Sequence, residues 1–232
     1  MPGTDTLVSL LSRTELFKGL GADDLEACAN FFRAAKFKKG QTLFVRGEKA
    51  TALYLVAEGR VRLAISTEDG RELSFRHAVA GELLGEIGAL DGGNRSADAT
   101  ALTTVTTYRL DKEDFRRLWT VRPVLSERLI SFLCGRLRET SGQLESIALH
   151  PMHVRLARFF MVAIGTRKPA PGKRLPLELG MSQGELALLL GASRPKINEA
   201  LGKLEEIGAI GRTLDRIFVD PLKLAEVDGS HA

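Results

Sequence analysis

Between Phe37 and about Asp111 the apolar residues recur at every second position, and glycine breaks the run at intervals of about ten residues. Leu53 and Leu55 alternate, as do Val61, Leu63 and Ile65, then Leu73 and Phe75. Gly40, Gly47, Glu58-Gly59, Asp69-Gly70 and Gly81 punctuate them. A strand points successive side chains to opposite faces, so each run offers one apolar face that must be covered. Short strands joined by glycine turns cover it by closing on one another, which predicts a small antiparallel sandwich or roll. Ahead of it, Leu16, Phe17 and Leu20, then Leu25, Cys28, Phe31 and Phe32, predict short helices over 14–35.

Past the roll the periodicity becomes helical. Asp111 is placed to cap a short helix running through Trp119, with Asp114 three residues on, and Pro123 opens a longer one. Ile130, Leu133, Leu137, Leu144 and Ile147 follow a three-four spacing, with Thr140 in the missing slot and Arg136, Arg138, Glu139 and Glu145 flanking it. This is a heptad seam of a dimerisation helix; its short extent also suits an ordinary amphipathic helix. His150-Pro151 interrupts the helix. A further helix, His153 to Ile164, leads through the polar stretch Thr166 to Arg174 into strand, helix, turn, helix and hairpin. The expected fold is α+β: an N-terminal antiparallel β-roll or jelly roll over residues 1–122, a long helix and hinge over 123–150, and a C-terminal domain over 151–232.

Several classes are disfavoured. No run of eighteen apolar residues predicts a membrane span, and MPGTDTLVSLLSRTELF lacks a basic leader with a long apolar core, so a cytoplasmic protein is expected. Cys28 and Cys134 lie too far apart for a structural zinc and are too few for a cluster. His77, His150, His153 and His231 form no ligand set; His150 and His153 can share a helical face or simply sit between domains. No metal is expected. No nucleophile elbow or isolated carboxylate pair suggests an enzyme. The net charge is +4, and from His150 onward 12 Lys plus Arg stand against 9 Asp plus Glu, a mild excess that suits a polyanion without requiring one.

Two stretches carry chemistry. In GEIGALDGGNRSA, 85–97, a glycine-rich turn lets backbone N–H groups crowd a phosphate, Arg95 at its end offers a fixed charge with bidentate donors, and Glu86 can accept from a ribose hydroxyl. A plain turn in which Glu86 and Arg95 pair with each other fits the same letters. In SQGELALLLGASRPKINEALGKLE, 182–205, Ser182 and Glu185 form a capping box, Leu186, Leu189 and Leu190 supply a buried face, and Gly191 turns the chain. Ser193 caps a second helix whose core face is Ile197, Leu201 and Leu204 and whose other face carries Arg194, Lys196, Asn198, Glu199 and Lys203. Two capped helices across a short turn, basic at the second helix's start, suit a DNA major groove; a helical hairpin with a solvated face has the same pattern.

These two stretches, with Thr140-Ser141 between them, resemble the cyclic-AMP receptor protein (CRP/FNR) family of bacterial transcription regulators in its cyclic-nucleotide-binding branch, in the family's order and across nearly the whole chain. The resemblance implies that Glu86 binds the ribose hydroxyl and that Arg95 with Ser96 holds a cyclic phosphate, within a cassette completed by Gly85, Ile87 and Ala97. It sets Arg136 near the phosphate, a solvent-facing role being the alternative. It sets Thr140 and Ser141 against the purine, although Thr140 can also serve only to fix register. The effector implied is cAMP, with cGMP as the alternative, because hydroxyls serve either purine edge.

For DNA, the resemblance makes Ser193 a phosphate contact and Arg194 a reader of guanine, with Ser182, Gln183, Pro195, Lys196, Asn198, Glu199 and Lys203 around them. Arg212 and Arg216 flank a hairpin, Thr213 to Val219, expected to form a wing on the backbone. A homodimer would set two such helices roughly 34 Å apart on a palindromic operator. Nucleotide would bridge the roll and the seam and turn the DNA domains about His150-Pro151, with RNA polymerase as a further partner.

The chain departs from the family pattern at four places. The cassette is one residue shorter between its Glu and Arg than in the best-known member, a length other branches share. Pro195 offers only apolar contact where an acidic reader stands, Glu199 replaces a basic one and favours cytosine, and Pro151 stands at the usual acidic helix cap. A ligand-independent DNA binder and a relative with another effector are the remaining readings; the missing cysteines exclude an iron–sulfur sensor.

Overall fold

The computed structural model describes residues 4–66, 72–121, 124–165, 167, 174–179, 181–213 and 216–229. It divides into two compact units, 1–138 and 139–232, the division falling inside a long helix.

The first unit opens with helices α1 (Thr4–Arg13) and α2 (Ala22–Ala29), followed by strands β1 (Phe32–Phe37), β2 (Thr42–Phe44), β3 (Ala52–Glu58), β4 (Val61–Ser66), β5 (Glu72–Ala78) and β6 (Leu83–Leu84). Helix α3 (Glu86–Asp91), strands β7 (Asp98–Ala101) and β8 (Val105–Asp111), helix α4 (Lys112–Val121) and helix α5 (Val124–Leu149) follow. Two antiparallel sheets form, ordered β1-β8-β3-β6 and β2-β7-β4-β5. Their facing sides bury Leu43, Phe44, Val56, Val61, Leu63, Ala78, Leu84 and Ala99 as the roll interior. The opposite face of the first sheet, through Leu53, Leu55, Leu83, Tyr108 and Leu110, packs against Leu11, Phe17, Leu25, Phe115, Leu125, Leu129 and Phe132 of the helices. This is the expected α+β roll, with Leu53 and Leu55 on the helix side and Val61 and Leu63 in the interior.

Two local readings change. Residues 14–35 are not helical throughout: Phe32 opens β1 and pairs with Leu110 of β8, because the free edge of that sheet supplies ladder hydrogen bonds that a period shared by Phe31 and Phe32 could not reveal. The helix Thr4–Arg13, which buries Leu7, Leu10 and Leu11, was not anticipated. Asp111 ends β8, and its carboxylate lies 2.6 Å from the Arg109 guanidinium; α4 starts at the next residue.

Helix α5 has two apolar stripes. Leu125, Leu129 and Phe132 are buried in the first unit, whereas Ile130, Leu133, Leu137, Leu144 and Ile147 lie exposed, Leu137 by 67% and Leu144 by 68%. Pro123 lies outside the described residues.

The second unit contains α6 (Met152–Ile164), β9 (Leu175–Leu177), α7 (Gln183–Leu189), α8 (Arg194–Glu206), β10 (Ile210–Arg212), β11 (Ile217–Val219) and α9 (Pro221–Asp228). Its core gathers Leu156, Phe160, Leu186, Ile197, Leu201, Leu204, Ile210 and Leu224, and a small sheet ordered β10-β11-β9 lies beside α8. Among the described residues no helix is long and apolar enough to cross a membrane.

Candidate nucleotide pocket and nucleic-acid interface

The cassette is a turn built on glycine. Gly85, at φ +75°, precedes α3, and Gly92, at φ +79°, closes it. A Cβ on Gly85 would lie 2.2 Å from Arg95 Nη1, so at this position glycine serves both the left-handed backbone and the close approach. The returning loop is pinned to residues 47–50: Arg95 N–H donates to the Glu48 carbonyl at 2.8 Å, and Gly47 N–H donates to the Arg95 carbonyl at 2.9 Å.

These constraints deliver Arg95 into the roll, where it is buried. Its Nη1 donates to the Gly85 carbonyl at 2.9 Å and its Nη2 to the Ala52 carbonyl at 2.7 Å, while the guanidinium lies 4.2 Å over the Phe44 ring. Phe44 stacks in turn on Tyr54. Burial pulls the Arg95 pKa down, and the charges of Tyr54, Glu48 and Glu86 oppose that shift. Glu86 is also buried, on the first turn of α3, and its carboxylate takes no hydrogen bond from any described residue. The two therefore do not form the mutual pair that a plain turn would use. A guanidinium held by neutral carbonyls keeps its full charge for an anion, and a buried carboxylate without a donor seeks a hydroxyl.

Of the remaining cassette residues, Ala97 is buried beside Arg95, Gly85 is half-buried, and Ser96 and Ile87 are exposed. Arg136 lies over the Phe132 ring at 5.0 Å. Thr140 and Ser141 are exposed on α5. The sequence did not point to Phe44, Tyr54 or the Ala52 carbonyl as parts of this site. Phe44 reads there only as strand core, and a main-chain acceptor leaves no mark in the letters.

In the second unit the Ser182–Glu185 box forms as expected, Glu185 N–H donating to Ser182 Oγ at 3.2 Å and Ser182 N–H to Glu185 Oε2 at 2.7 Å. Gly191 turns at φ +60°. The buried Arg155 guanidinium donates to the Leu190 carbonyl and fastens the end of α7. Ser193 stands at the N-cap of α8, but its hydroxyl makes no cap hydrogen bond and so remains available. Ile197, Ala200, Leu201 and Leu204 are buried, which turns Arg194, Pro195, Lys196, Asn198 and Glu199 outward. Arg194, Lys196 and Asn198 make no side-chain hydrogen bond or ion pair with the described residues.

Three of the expected DNA-contacting residues, Glu199, Lys203 and Arg212, already stand in ion pairs. Glu199 accepts from Lys203 at 2.8 Å, a bond that draws the carboxyl below its ordinary value, and Arg212 donates to Glu205. Both pairs lie at least partly exposed, so phosphates can compete for either cation. Gln183 is half-buried at the start of α7. The hairpin is β10–β11, closed by Thr213 N–H to the Arg216 carbonyl at 2.9 Å.

Residues 34–121 match the cyclic nucleotide-binding domain and residues 154–227 the Crp-like helix-turn-helix domain. The chain is 31% identical to the cyclic AMP receptor protein of Thermus thermophilus over 84% of its own length and 87% of that protein. It is 29% identical to the CRP-like cAMP-activated global transcriptional regulator of Mycobacterium tuberculosis over 87% of its length and 90% of that protein. Among solved structures, the Thermus thermophilus catabolite activator protein matches with a TM-score of 0.55 at 29% identity, covering 94% of this chain and all of that one. A roll carrying a glycine-turn cassette, a long helix and a capped helix-turn-helix, in this order and with these relatives, establish that the chain belongs to the CRP/FNR family of cyclic-nucleotide-binding, helix-turn-helix transcription regulators.

Proposed function

We propose that the chain works as a homodimer in which a purine 3′,5′-cyclic nucleotide, bound in the roll, raises affinity for a palindromic operator, and that it acts by binding rather than catalysis, in the cytoplasm. The observation that carries this reading is the cassette itself: Arg95 and Glu86 are buried within one glycine turn yet not paired with each other. A ring-closed phosphodiester takes the Arg95 guanidinium together with Ser96, and the ribose 2′-hydroxyl donates to Glu86. Gly85, Ile87 and Ala97 line the turn, Arg136 adds positive charge nearby, and Thr140 and Ser141 serve the purine. The relatives are cAMP-responsive by name, and cGMP is the other purine effector this reading admits.

The exposed stripe of Ile130, Leu133, Leu137, Leu144 and Ile147 supports dimerisation, since a second copy of the same stripe removes these side chains from water. On α8, Arg194 reads a guanine edge, Ser193 contacts phosphate, and Lys196, Asn198 and Glu199 face the groove. Ser182, Gln183, Lys203 and Arg212 lie along the backbone, and RNA polymerase is the further partner. A ligand can shift DNA binding only through a difference in affinity between the two states, so nucleotide and operator occupancy must be coupled in both directions. Footprinting on operator fragments with and without cyclic nucleotide tests the proposal. Nucleotide-dependent protection is expected; equal protection in both arms overturns ligand gating and leaves a constitutive DNA binder.

A further inference from the structure

Strand β5 meets β4 through a one-residue bulge: Leu63 faces Arg76, Ala64 faces Ser74, and Phe75 is the extra residue. A bulge re-aims the side chains beside it. Leu63 belongs to the roll interior, Phe75 packs against that same cluster, and directly opposed residues share a face, so Arg76 starts from the interior side. Its side chain is only 17% exposed and is held in a fixed plane. Nε and Nη2 donate to Glu82 Oε2 at 3.1 and 2.8 Å, and Nη2 also donates to the Leu83 carbonyl at 3.0 Å. Leu83 lies two residues before Gly85, whose carbonyl anchors Arg95. One short segment thus anchors two guanidiniums. The second leaves Nη1 without a hydrogen-bond acceptor among the described residues.

With the phosphate at Arg95 and the ribose at Glu86, and with the hydroxyls of Thr140 and Ser141 able to serve either purine edge, the choice between purines falls to another group. Guanidinium is a pure donor. Guanine presents two neighbouring acceptors, O6 and N7, on one edge, whereas adenine presents N7 beside an amino donor. A rigid, half-buried donor therefore rewards the six-oxygen and opposes the six-amino group. We propose that Arg76, oriented by Glu82, reads the purine edge and makes the pocket prefer cyclic GMP to cyclic AMP. This deepens, and rests on, the cyclic-nucleotide reading above.

Calorimetry on the full chain with cyclic GMP, cyclic AMP and cyclic IMP tests it. Cyclic GMP is expected to bind on the order of tenfold more tightly than cyclic AMP, since the wrong base leaves a desolvated donor facing a donor. Cyclic IMP, which keeps the six-oxygen but lacks the two-amino group, should stay within a few-fold of cyclic GMP. Arg76→Leu should erase the preference chiefly by weakening cyclic GMP. The comparison of the three nucleotides on the unaltered chain remains decisive even if that variant fails to fold. Cyclic AMP binding as tightly as cyclic GMP, cyclic IMP behaving like cyclic AMP, or a folded Arg76→Leu that keeps the preference would each overturn the role of Arg76 while leaving the cyclic-nucleotide reading intact. Binding of none of the three overturns both.

Discussion

Replacing Gly85 by alanine separates two costs that the structure places at one residue. Ala must adopt φ near +75°, where an L-residue loses about 1–2 kcal/mol. Its Cβ would also stand 2.2 Å from Arg95 Nη1. A guanidinium can swing away, so the second cost is the lost bond to the Gly85 carbonyl, about 1.5–3 kcal/mol for a charged donor. Together these predict about 2.5–5 kcal/mol of destabilisation. Gly47 is the control: its φ is +86°, but a Cβ there meets nothing within 4 Å, so Gly47→Ala should cost only about 1–2 kcal/mol. Both positions lie in the first unit, and hydrogen exchange of that unit's strand amides in urea reports its unfolding. In a thermal scan the gap between the two variants, about 1.5–3 kcal/mol, corresponds to roughly 3–12 °C at about 2–4 °C per kcal/mol. Equal losses in the two variants would show that the Arg95–Gly85 contact contributes nothing to the fold of the cassette.

Arg95→Leu should abolish cyclic-nucleotide binding by calorimetry while the dimer stays folded; unchanged affinity removes Arg95 from the phosphate. Leu137→Lys takes a leucine worth roughly 1.5–3 kcal/mol from each side of a symmetric seam, so sedimentation should show the dimer weakened by at least a hundredfold. Arg194→Ala should cost about 1–3 kcal/mol of discrimination between operator and random DNA, and equal losses on both would deny it a base contact. The hydrogen bond from Arg212 holds the Glu205 carboxyl below its ordinary pKa. A depressed carboxyl stabilises the native state above its unfolded pKa and loses that contribution as pH falls through its lower folded value. Glu205→Gln should therefore flatten the acid limb of the second unit's stability curve and leave its slope near neutrality unchanged.

What could be read in the letters was local or periodic. The Ser182–Glu185 box needs only residues three apart, and it forms as written. Alternation is plainest in β4, where Val61 and Leu63 are buried in the roll interior and Arg62 between them is not. Strand β3 is covered on both faces and so buries Leu53, Leu55 and Val56 alike, and in β5 Ser74 is buried while Leu73 is exposed. The three-four spacing from Ile130 to Ile147 was equally plain, and its exposure distinguishes it from the stripe of Leu125, Leu129 and Phe132 that the same helix buries in its own unit. Phe32 went astray because its fate depends on a strand almost eighty residues later.

The site was legible as a set of residue types and illegible as a geometry. Arg95 and Glu86 could be singled out, but whether they pair was open, because the acceptors that hold Arg95 apart are main-chain carbonyls 10 and 43 residues away. Arg212 reads as a free cation until a partner seven residues upstream, beyond the turn after α8, claims it. Arg76 is the strongest case. In sequence it is one charge within RELSFRHA, and strict alternation from Leu73 and Phe75 would send it to the opposite face from them. The bulge at Phe75 breaks that alternation and sets Arg76 opposite buried Leu63. A single inserted residue thus changes which face a charge occupies, and with it the chemistry a pocket can offer.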